Sequence, residues 1–322
     1  MMIESGLLDR EIARSFAGQR VLVTGGSGFL GRQVVRQGLV AGAEMHTLGR
    51  TRGPAGSRFH HADLTDPAAV RRAVVAASPH AVLHCAGPGM ANNGLSNDAM
   101  LAVAAGGTEA LFAACAALPE PVRIVQIGSG FEYAPSGQPV PEDWPTDPSL
   151  SPYGAAQAAA GRVAERFADR LAITLLRPFH IFGAGEPASR LGPQIIASAR
   201  AGTVVELTAA QQVRDFIHVD DCASCLWIAL GMMEAGPGLA TFNLGSDQAI
   251  TLRQFIEALS GALLAQGHRA ELVFGARPYR AGELLISLPD TARWQAATGW
   301  LPKVSLELGT ADQVMQELAQ CA

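Results

Sequence analysis

Apolar positions in this chain fall into two spacings, short β-prone runs and longer stretches of helical period, which alternate from about residue 20 to residue 176. Val21-Leu22-Val23-Thr24 is the first β-prone run. Gly25, Gly28 and Gly31 follow at intervals of three, and from Phe29 an apolar, breaker-poor segment reads as a helix. Gln33 to Val40 continues that helix until Gly42 ends it, and Ala43 to Leu48 is a second strand. A loop with two arginines, Gly49-Arg50-Thr51-Arg52-Gly53-Pro54, leads to a third strand, Phe59 to Ala62, ending at Asp63. Asp66-Pro67 opens a helix, Ala81 to Ala86 is a fourth strand, Gly106 to Leu118 an alanine-rich helix, and Val122 to Ile127 a fifth strand running into Gly128-Ser129. A proline-rich loop, Pro135 to Pro152, precedes a helix from Tyr153 to about Arg170, and Ile173 to Leu176 is the sixth strand. Strict alternation predicts an α/β fold with a doubly wound parallel sheet, whose ligands sit at the carboxyl ends of the strands.

The flanks are less regular. Ile3, Leu7, Leu8, Ile12 and Phe16 fall near one helical stripe, which predicts an appended amphipathic helix. The last ~145 residues have no second glycine fingerprint and carry Arg177, Arg190, Arg214, Arg277 and Arg280 at loop-like positions. The reading is therefore residues 1–176 as the N-terminal helix plus a dinucleotide-binding domain. Residues 177–322 form mainly a smaller C-terminal α/β substrate domain, with some segments returning to the sheet.

Composition narrows the ligand. Of 322 residues, 48% are hydrophobic and 16% charged, with a formal charge of -5, so no basic surface calls for nucleic acid or an anionic membrane. The first twenty residues have no apolar core of a signal segment and no run approaches eighteen apolar residues, so a cytoplasmic protein is expected. Five scattered cysteines do not form a disulfide framework. Cys222 and Cys225 have metal-ligand spacing, but no second pair completes a site, and no metal is expected. His60-His61, Glu142-Asp143 and Asp220-Asp221 are read as structural, because neighbours in an extended segment point to opposite faces. Glycine at the turn permits unusual dihedrals and lets a phosphate approach backbone N–H groups, so Gly25, Gly28, Phe29, Leu30 and Gly31 are candidates to seat a dinucleotide pyrophosphate on a helix N-terminus. The bland reading is an ordinary strand-to-helix turn.

Several motifs then occur in order: Thr24-Gly25-Gly26-Ser27-Gly28-Phe29-Leu30-Gly31, Ala62-Asp63-Leu64, Leu83-His84-Cys85-Ala86-Gly87, Ser151-Pro152-Tyr153-Gly154, Arg177-Pro178-Phe179, and Arg214-Asp215-Phe216-Ile217-His218-Val219-Asp220-Asp221. Together they resemble the extended short-chain dehydrogenases/reductases, in the branch of nucleotide-sugar epimerases, dehydratases and ketoreductases. Phe242-Asn243-Leu244-Gly245-Ser246 and Gly299-Trp300-Leu301-Pro302-Lys303-Val304-Ser305-Leu306-Glu307 extend the resemblance almost to the C-terminus. The resemblance implies a Rossmann-type sheet and a homodimer formed through the helices at Gly106–Leu118 and Tyr153–Arg170. It also implies that Asp63, with Leu64, holds the adenine and that Cys85, Ala86, Gly87 and Pro178 line the nicotinamide half. An acidic residue after the second strand would mark NAD; here Gly49 stands there, followed by Arg50 and Arg52, which favours NADP(H) over NAD(H).

The catalytic positions depart from the family pattern. Relatives have Ser or Thr, then Tyr followed four residues later by Lys; here these are Ser129, Tyr153 and Gln157, and Lys303 is the one lysine in the chain. Ser151-Pro152 should start the helix, which puts Tyr153 and Gln157 one turn apart on the same face. Without an ammonium, Tyr153 should stay near the ordinary tyrosine value of about 10. A protonated phenol suits reduction of a ketone, where it acts as acid, better than oxidation of an alcohol, where tyrosinate is the base. Gly130 and Phe131 occupy the positions where 4,6-dehydratases carry Asp-Glu, so dehydration is disfavoured, and Glu132, one place on, should point the other way.

For the substrate, Arg214 and Arg277 match arginines that grip a nucleotide diphosphate, a task suited to a planar fork. His180 stands where relatives have an Asn, and Arg280 where a ribose-binding Asp is common. Phe131, Phe179, Phe182 and Met90 are candidates for an apolar patch facing a deoxygenated sugar. The expected function is NADPH-dependent reduction of a nucleotide-linked keto-deoxysugar. The alternatives are a nucleotide-sugar epimerase, a reductase of a carbonyl without a nucleotide, and a catalytically silent NADP(H)-binding protein.

Overall fold

A computed structural model describes residues 10–89, 94–149, 151–234, 236–280 and 282–319. Its main sheet has seven parallel strands. Six come in succession: β1 (Arg20–Thr24), β2 (Glu44–Gly49), β3 (Arg58–His61), β4 (Ala81–His84), β5 (Arg123–Ile127) and β6 (Ala172–Pro178). Three more strands, β7 (His180–Phe182), β8 (Val204–Glu206) and β9 (Val213–His218), belong to a second lobe before β10 (Gly238–Leu244) returns to the sheet. The spatial order is β10-β6-β5-β4-β1-β2-β3, with Thr24 level with both Leu48 and His84, so the carboxyl ends of the central strands form one rim. The parallel sheet expected from the alternation is therefore present, and β10 extends it beyond β6.

The period-2 pattern divides the interior into two layers. On one face Val21 and Val23 pack with Val34, Val35, Leu226 and Trp227; on the other, Leu22 packs with Val70, Leu111, Phe112 and Val163. The helices in chain order are α1 (Arg10–Ser15), α2 (Phe29–Val40), α3 (Pro67–Ala77), α4 (Asn97–Leu101), α5 (Gly107–Ala116), α6 (Pro152–Phe167), α7 (Leu191–Ala201), α8 (Val219–Met232), α9 (Leu252–Ala265), α10 (Ala292–Thr298) and α11 (Leu306–Ala319). The described part of the N-terminal helix is α1, after which Phe16 packs edge-on against Trp227 at 5.0 Å. Ile3, Leu7 and Leu8 lie outside the described residues. Cys222 and Cys225 are fully buried in the same layer, as structural side chains.

One helix begins earlier than its sequence suggests. Ser96 caps α4 by accepting the Ala99 N–H, and a π-helical turn, Ala102–Gly106, joins α4 to α5 without a break. Gly106 and Gly107 look like breakers in sequence, yet a Cβ on Gly107 would stand 2.9 Å from Leu64 Cβ, so the glycine serves helix packing. The resulting run, Asn97–Ala116, is apolar and long enough to cross a bilayer, but Leu111, Phe112 and Cys115 bury it in the core.

The second lobe is built on β9, which pairs with β7, with β11 (Ala249–Thr251) and, on its other side, with β13 (Ile286–Ser287); β12 (Glu271–Val273) pairs separately with β8. Phe182, Ile195, Ile196, Phe255, Leu259 and Val314 form its core. Between two segments of this lobe, α8 and β10 go back to the sheet.

Candidate active site

The glycine turn sits at the sheet rim. Gly25 has φ +67°, a left-handed conformation, and a Cβ there would lie 2.9 Å from the Ala86 backbone. A Cβ on Gly31 would strike the Gly25 carbonyl oxygen, so Gly31 lets α2 close over the turn from behind. Gly28 caps α2 without a side-chain oxygen, leaving its first-turn N–H groups open to an anion. A buried chain of hydrogen bonds holds the turn against its neighbours. Ala86 N–H donates to Thr24 Oγ1 at 3.2 Å, Thr24 Oγ1 meets His84 Nδ1 at 2.6 Å, and His84 Nε2 meets Thr108 Oγ1 at 3.0 Å. Thr108 spends its own hydrogen on the Ala104 carbonyl, which assigns the ring proton to His84 Nε2. Burial lowers the His84 pKa to about 4, so the ring is neutral.

From this turn a continuous groove crosses the rim in three parts. The first, ≈ 280 Å³, is lined by Gly25, Gly28, Arg50, Asp63, Leu64, Cys85, Ala86 and Gly87 among others. Asp63 Oδ1 accepts both the N–H and the hydroxyl of Thr65, and these bonds hold its carboxyl below the usual range. Gly49, also on this wall, presents no carboxylate. The second part, ≈ 340 Å³, shares Gly28, Cys85, Ala86 and Gly87 with the first and adds Phe29, Leu30, Ser129, Phe131, Tyr153, Gln157, Pro178, Phe179 and Arg190. These walls fit a dinucleotide: a Cβ-free turn, an uncapped helix start, an adenosine-sized recess with a carboxylate, and a floor reaching Tyr153. Burial raises the Cys85 thiol to about 12, so it acts as a wall and not as a nucleophile.

Ser129, Tyr153 and Gln157, the expected catalytic side chains, meet in the second part. Ser151 caps α6 by accepting the Gly154 N–H at 3.0 Å, with Pro152 in the first turn. A Cβ on Gly154 would strike the Phe131 carbonyl, so the glycine lets the start of α6 press against the turn that follows β5. Tyr153 and Gln157 share a helix face as expected, and Gln157 Nε2 donates to Tyr153 Oη at 3.0 Å. Ser129 begins a single 3₁₀ turn, Gly130–Glu132, and its hydroxyl accepts the Phe131 N–H at 3.2 Å. Burial raises the Tyr153 pKa above its ordinary value; the hydrogen bonds from Gln157 and Ser129 oppose this without cancelling it. One face of the ring nevertheless opens on the groove, where Tyr153 is half-buried.

The third part, ≈ 580 Å³, lies between the sheet and the lobe and shares Phe131, Tyr153, Ile181 and Arg190 with the second. Its polar walls are Arg214, Arg280, Glu283, Glu186, Arg190 and His180, and its apolar ones include Phe182, Phe216 and Phe255. His180 packs edge-on to Phe131 at 5.3 Å, and burial, reinforced by Arg214 and Arg190, holds its pKa well below the usual value. The ring lining this part is therefore neutral. Arg214 Nη2 donates to Glu283 Oε1 at 3.2 Å, and Nη1 donates to the Val213 carbonyl.

Two expected contacts lie elsewhere. Arg277 is exposed, pairs with Glu206 at 3.5 Å and is not among the residues that line the lobe. Arg280, three residues on, lines the lobe instead. Arg52 places its guanidinium over the Phe59 ring at 5.2 Å, on the flank of the adenosine recess, whereas Arg50 lines the recess itself. Met90 lies outside the described residues. Arg190, Glu186 and Glu283 entered no sequence expectation as site residues; Glu186 and Arg190 form an i,i+4 pair at 3.1 Å, a spacing visible in sequence but uninformative without the lobe around it. Among the described residues, no cluster of His, Cys, Asp and Glu could hold a metal.

A profile described as the NAD dependent epimerase/dehydratase family matches residues 21–245. The chain is 32% identical over 309 residues to a dTDP-6-deoxy-L-talose 4-dehydrogenase (NAD(P)(+)) of Kitasatospora kifunensis, covering 89% of this chain and 92% of that protein. It is 26% identical over 330 residues to a UDP-glucose 4-epimerase of Bacillus subtilis (strain 168), covering 91% and 95%. Its fold is similar to that of the UDP-glucose 4-epimerase of Thermus thermophilus in complex with NAD, with a TM-score of 0.78, 27% identity, and coverage of 92% and 98% of the two chains. The seven-stranded sheet, the glycine turn at its rim and the Tyr153 helix are thus those of an extended short-chain dehydrogenase/reductase, and the chain belongs to the NAD-dependent epimerase/dehydratase family.

Proposed function

We propose that this enzyme uses NADPH to reduce a keto group on a nucleotide-linked deoxysugar. The observation that carries the reading is the Gln157 amide at 3.0 Å from the Tyr153 hydroxyl, with burial raising the phenol and no lysine to lower it. When bound, the cofactor supplies the hydride that reaches the carbonyl carbon. Tyr153 holds a proton at Oη and gives it to the oxygen that becomes the alcohol. Ser129 donates its hydroxyl hydrogen to that oxygen as charge develops, and the Gln157 N–H stabilises the phenolate left behind. Arg50, at the recess where an acidic residue is missing, supports NADP(H) over NAD(H). Arg214 and Arg280 suit the diphosphate, and Phe131 and the neutral His180 suit a sugar that lacks a hydroxyl.

The relative named as a 6-deoxytalose 4-dehydrogenase interconverts, by that name, a 4-keto and a 4-hydroxy sugar, which favours carbon 4 as the reacting position. The test is purified enzyme with NADPH or NADH and a set of nucleotide-linked 4-keto-6-deoxy sugars, read at the nicotinamide absorbance. NADPH consumption with at least one of them is expected. No consumption with either cofactor refutes the reading, and interconversion of two hydroxy sugars without net cofactor use identifies an epimerase. We further propose a homodimer packed through α5 and α6, where Glu109 and Arg166 already pair at 3.0 Å within one chain; sedimentation at the monomer mass would refute it.

A further inference from the structure

Glu132 ends a 3₁₀ turn where an extended segment was assumed, it points away from the groove, and what it faces gives it a task. Its side chain is entirely buried behind Ser129. Oε1 accepts the Ser129 backbone N–H at 2.8 Å, and Oε2 accepts Arg177 Nε at 2.9 Å. Arg177 Nη1 donates to Tyr133 Oη at 3.0 Å and to the Glu142 carbonyl at 3.1 Å. Tyr133 donates to Asn243 Oδ1 at 2.7 Å, and the Asn243 N–H donates to Glu142 Oε1 at 2.9 Å. One carboxylate therefore joins the turn after β5 to β6, β10 and the 140s loop. A Cβ on Gly128 would stand 2.6 Å from Glu132 Oε1, so the residue before Ser129 has no room for a side chain while the carboxylate is in place.

We propose that Glu132 is a positioning residue that fixes the backbone of Ser129, and so the aim of its hydroxyl at the reacting carbonyl, through the bridge to Arg177. The inference rests on the reading that Ser129 orients that carbonyl. The Ser129 hydroxyl accepts the Phe131 N–H at 3.2 Å and also meets the Tyr153 hydroxyl, contacts that aim it only as well as the backbone of the turn is fixed. The other half of the catalytic pair, Tyr153, is carried by the capped first turn of α6, which Gly154 lets rest on the Phe131 carbonyl of the same turn. Displacing a reacting group by about 1 Å costs about 100-fold in rate, whereas Glu132 itself lines no part of the groove, so binding of cofactor and nucleotide should change far less than kcat.

The experiment uses the NADP-bound full chain carrying Glu132→Gln and, separately, Tyr133→Phe. Glutamine has one acceptor oxygen, so it serves Ser129 or Arg177 but not both. For Glu132→Gln we expect amide hydrogen exchange at Ser129 at least about tenfold faster, and kcat on the keto sugar about 100-fold lower, with KM for NADPH and sugar within about threefold. Tyr133→Phe, a milder cut at the far side of Arg177, should lower kcat several-fold with the same KM pattern. If Glu132→Gln does not fold, Tyr133→Phe decides. Unchanged exchange at Ser129, kcat within twofold of the parent, or a rise in KM that merely follows a fall in Tm overturns the proposal. Should the parent reduce no keto sugar, the functional reading fails by itself, and the exchange measurement still decides whether Glu132 fixes Ser129.

Discussion

Replacing Gln157 by lysine would restore a cation one helical turn from Tyr153, and the effect can be worked from the geometry. The amide nitrogen lies 3.0 Å from the phenol oxygen, and an ammonium in its place would attract phenolate by about 5 kcal/mol at an effective dielectric of about 20. Desolvating the ammonium takes back part of this, and a neighbouring opposite charge generally moves a pKa by about 1 to 3 units. In the parent enzyme, burial has already raised the Tyr153 pKa. The reductive rate needs the protonated phenol, so in the parent it should stay level from neutral pH to beyond about 10. In Gln157→Lys the alkaline fall should begin about 1 to 3 units earlier. The opposite direction should gain: oxidation of the alcohol by NADP at a pH of about 7.5 should rise by about 10-fold or more as tyrosinate becomes available. The assay is kcat against pH in both directions, with NADPH affinity measured alongside by fluorescence. An alkaline limb that does not move in a variant that binds cofactor normally would refute the argument. A parent whose reductive rate already falls near neutral pH would do so too.

Four further substitutions test the groove and the buried chain behind its glycine turn. Arg50→Ala should raise KM for NADPH about 10- to 100-fold, the value of a charge-assisted hydrogen bond, and leave KM for NADH nearly unchanged; equal effects on both would remove Arg50 from 2′-phosphate binding. Arg214→Met should raise KM for the nucleotide sugar about tenfold or more, while Arg277→Ala, which alters an exposed pair with Glu206, should leave it where it is; steady-state kinetics on both variants checks this. His84 is neutral with a pKa of about 4 when folded and about 6.5 when unfolded, so the unfolded state takes up the proton first as pH falls. His84→Gln should therefore gain on the parent by about 3 kcal/mol between about pH 6.5 and about pH 4 in urea melts, and a constant difference would show that His84 does not titrate in this way.

The parts of the molecule legible in the sequence are those whose cause is local. The β1 turn is written in three glycines, the start of α6 in Ser151-Pro152, and the pairing of Tyr153 with Gln157 in a spacing of four. The second lobe was legible as a smaller α/β unit but its strands were not, because β7, β11 and β13 are two or three residues long and are strands only by virtue of pairing with β9. The same remoteness explains the arginines. Arg277 and Arg280 are three residues apart in a loop, and which of them faces the groove depends on the pairing of β12 with β8, nearly seventy residues away in sequence. Glu132 points away from the groove, but from a 3₁₀ turn and not from the extended segment that the expectation assumed, and its partner Arg177 is 45 positions along the chain with no local pattern to announce it.

The lobe over the groove leaves and rejoins the sheet repeatedly, because α8 and β10 interrupt it. It is stitched down along several seams, not hung from one. Swinging such a cover open would require every seam to give at once, whereas hinged closure concentrates its bending in a few residues. Recognition here then works as a mould works, with the cavity cast before the guest arrives. New substrates would be admitted by recarving its walls, side chain by side chain, while the hydride machinery beneath stays as it is.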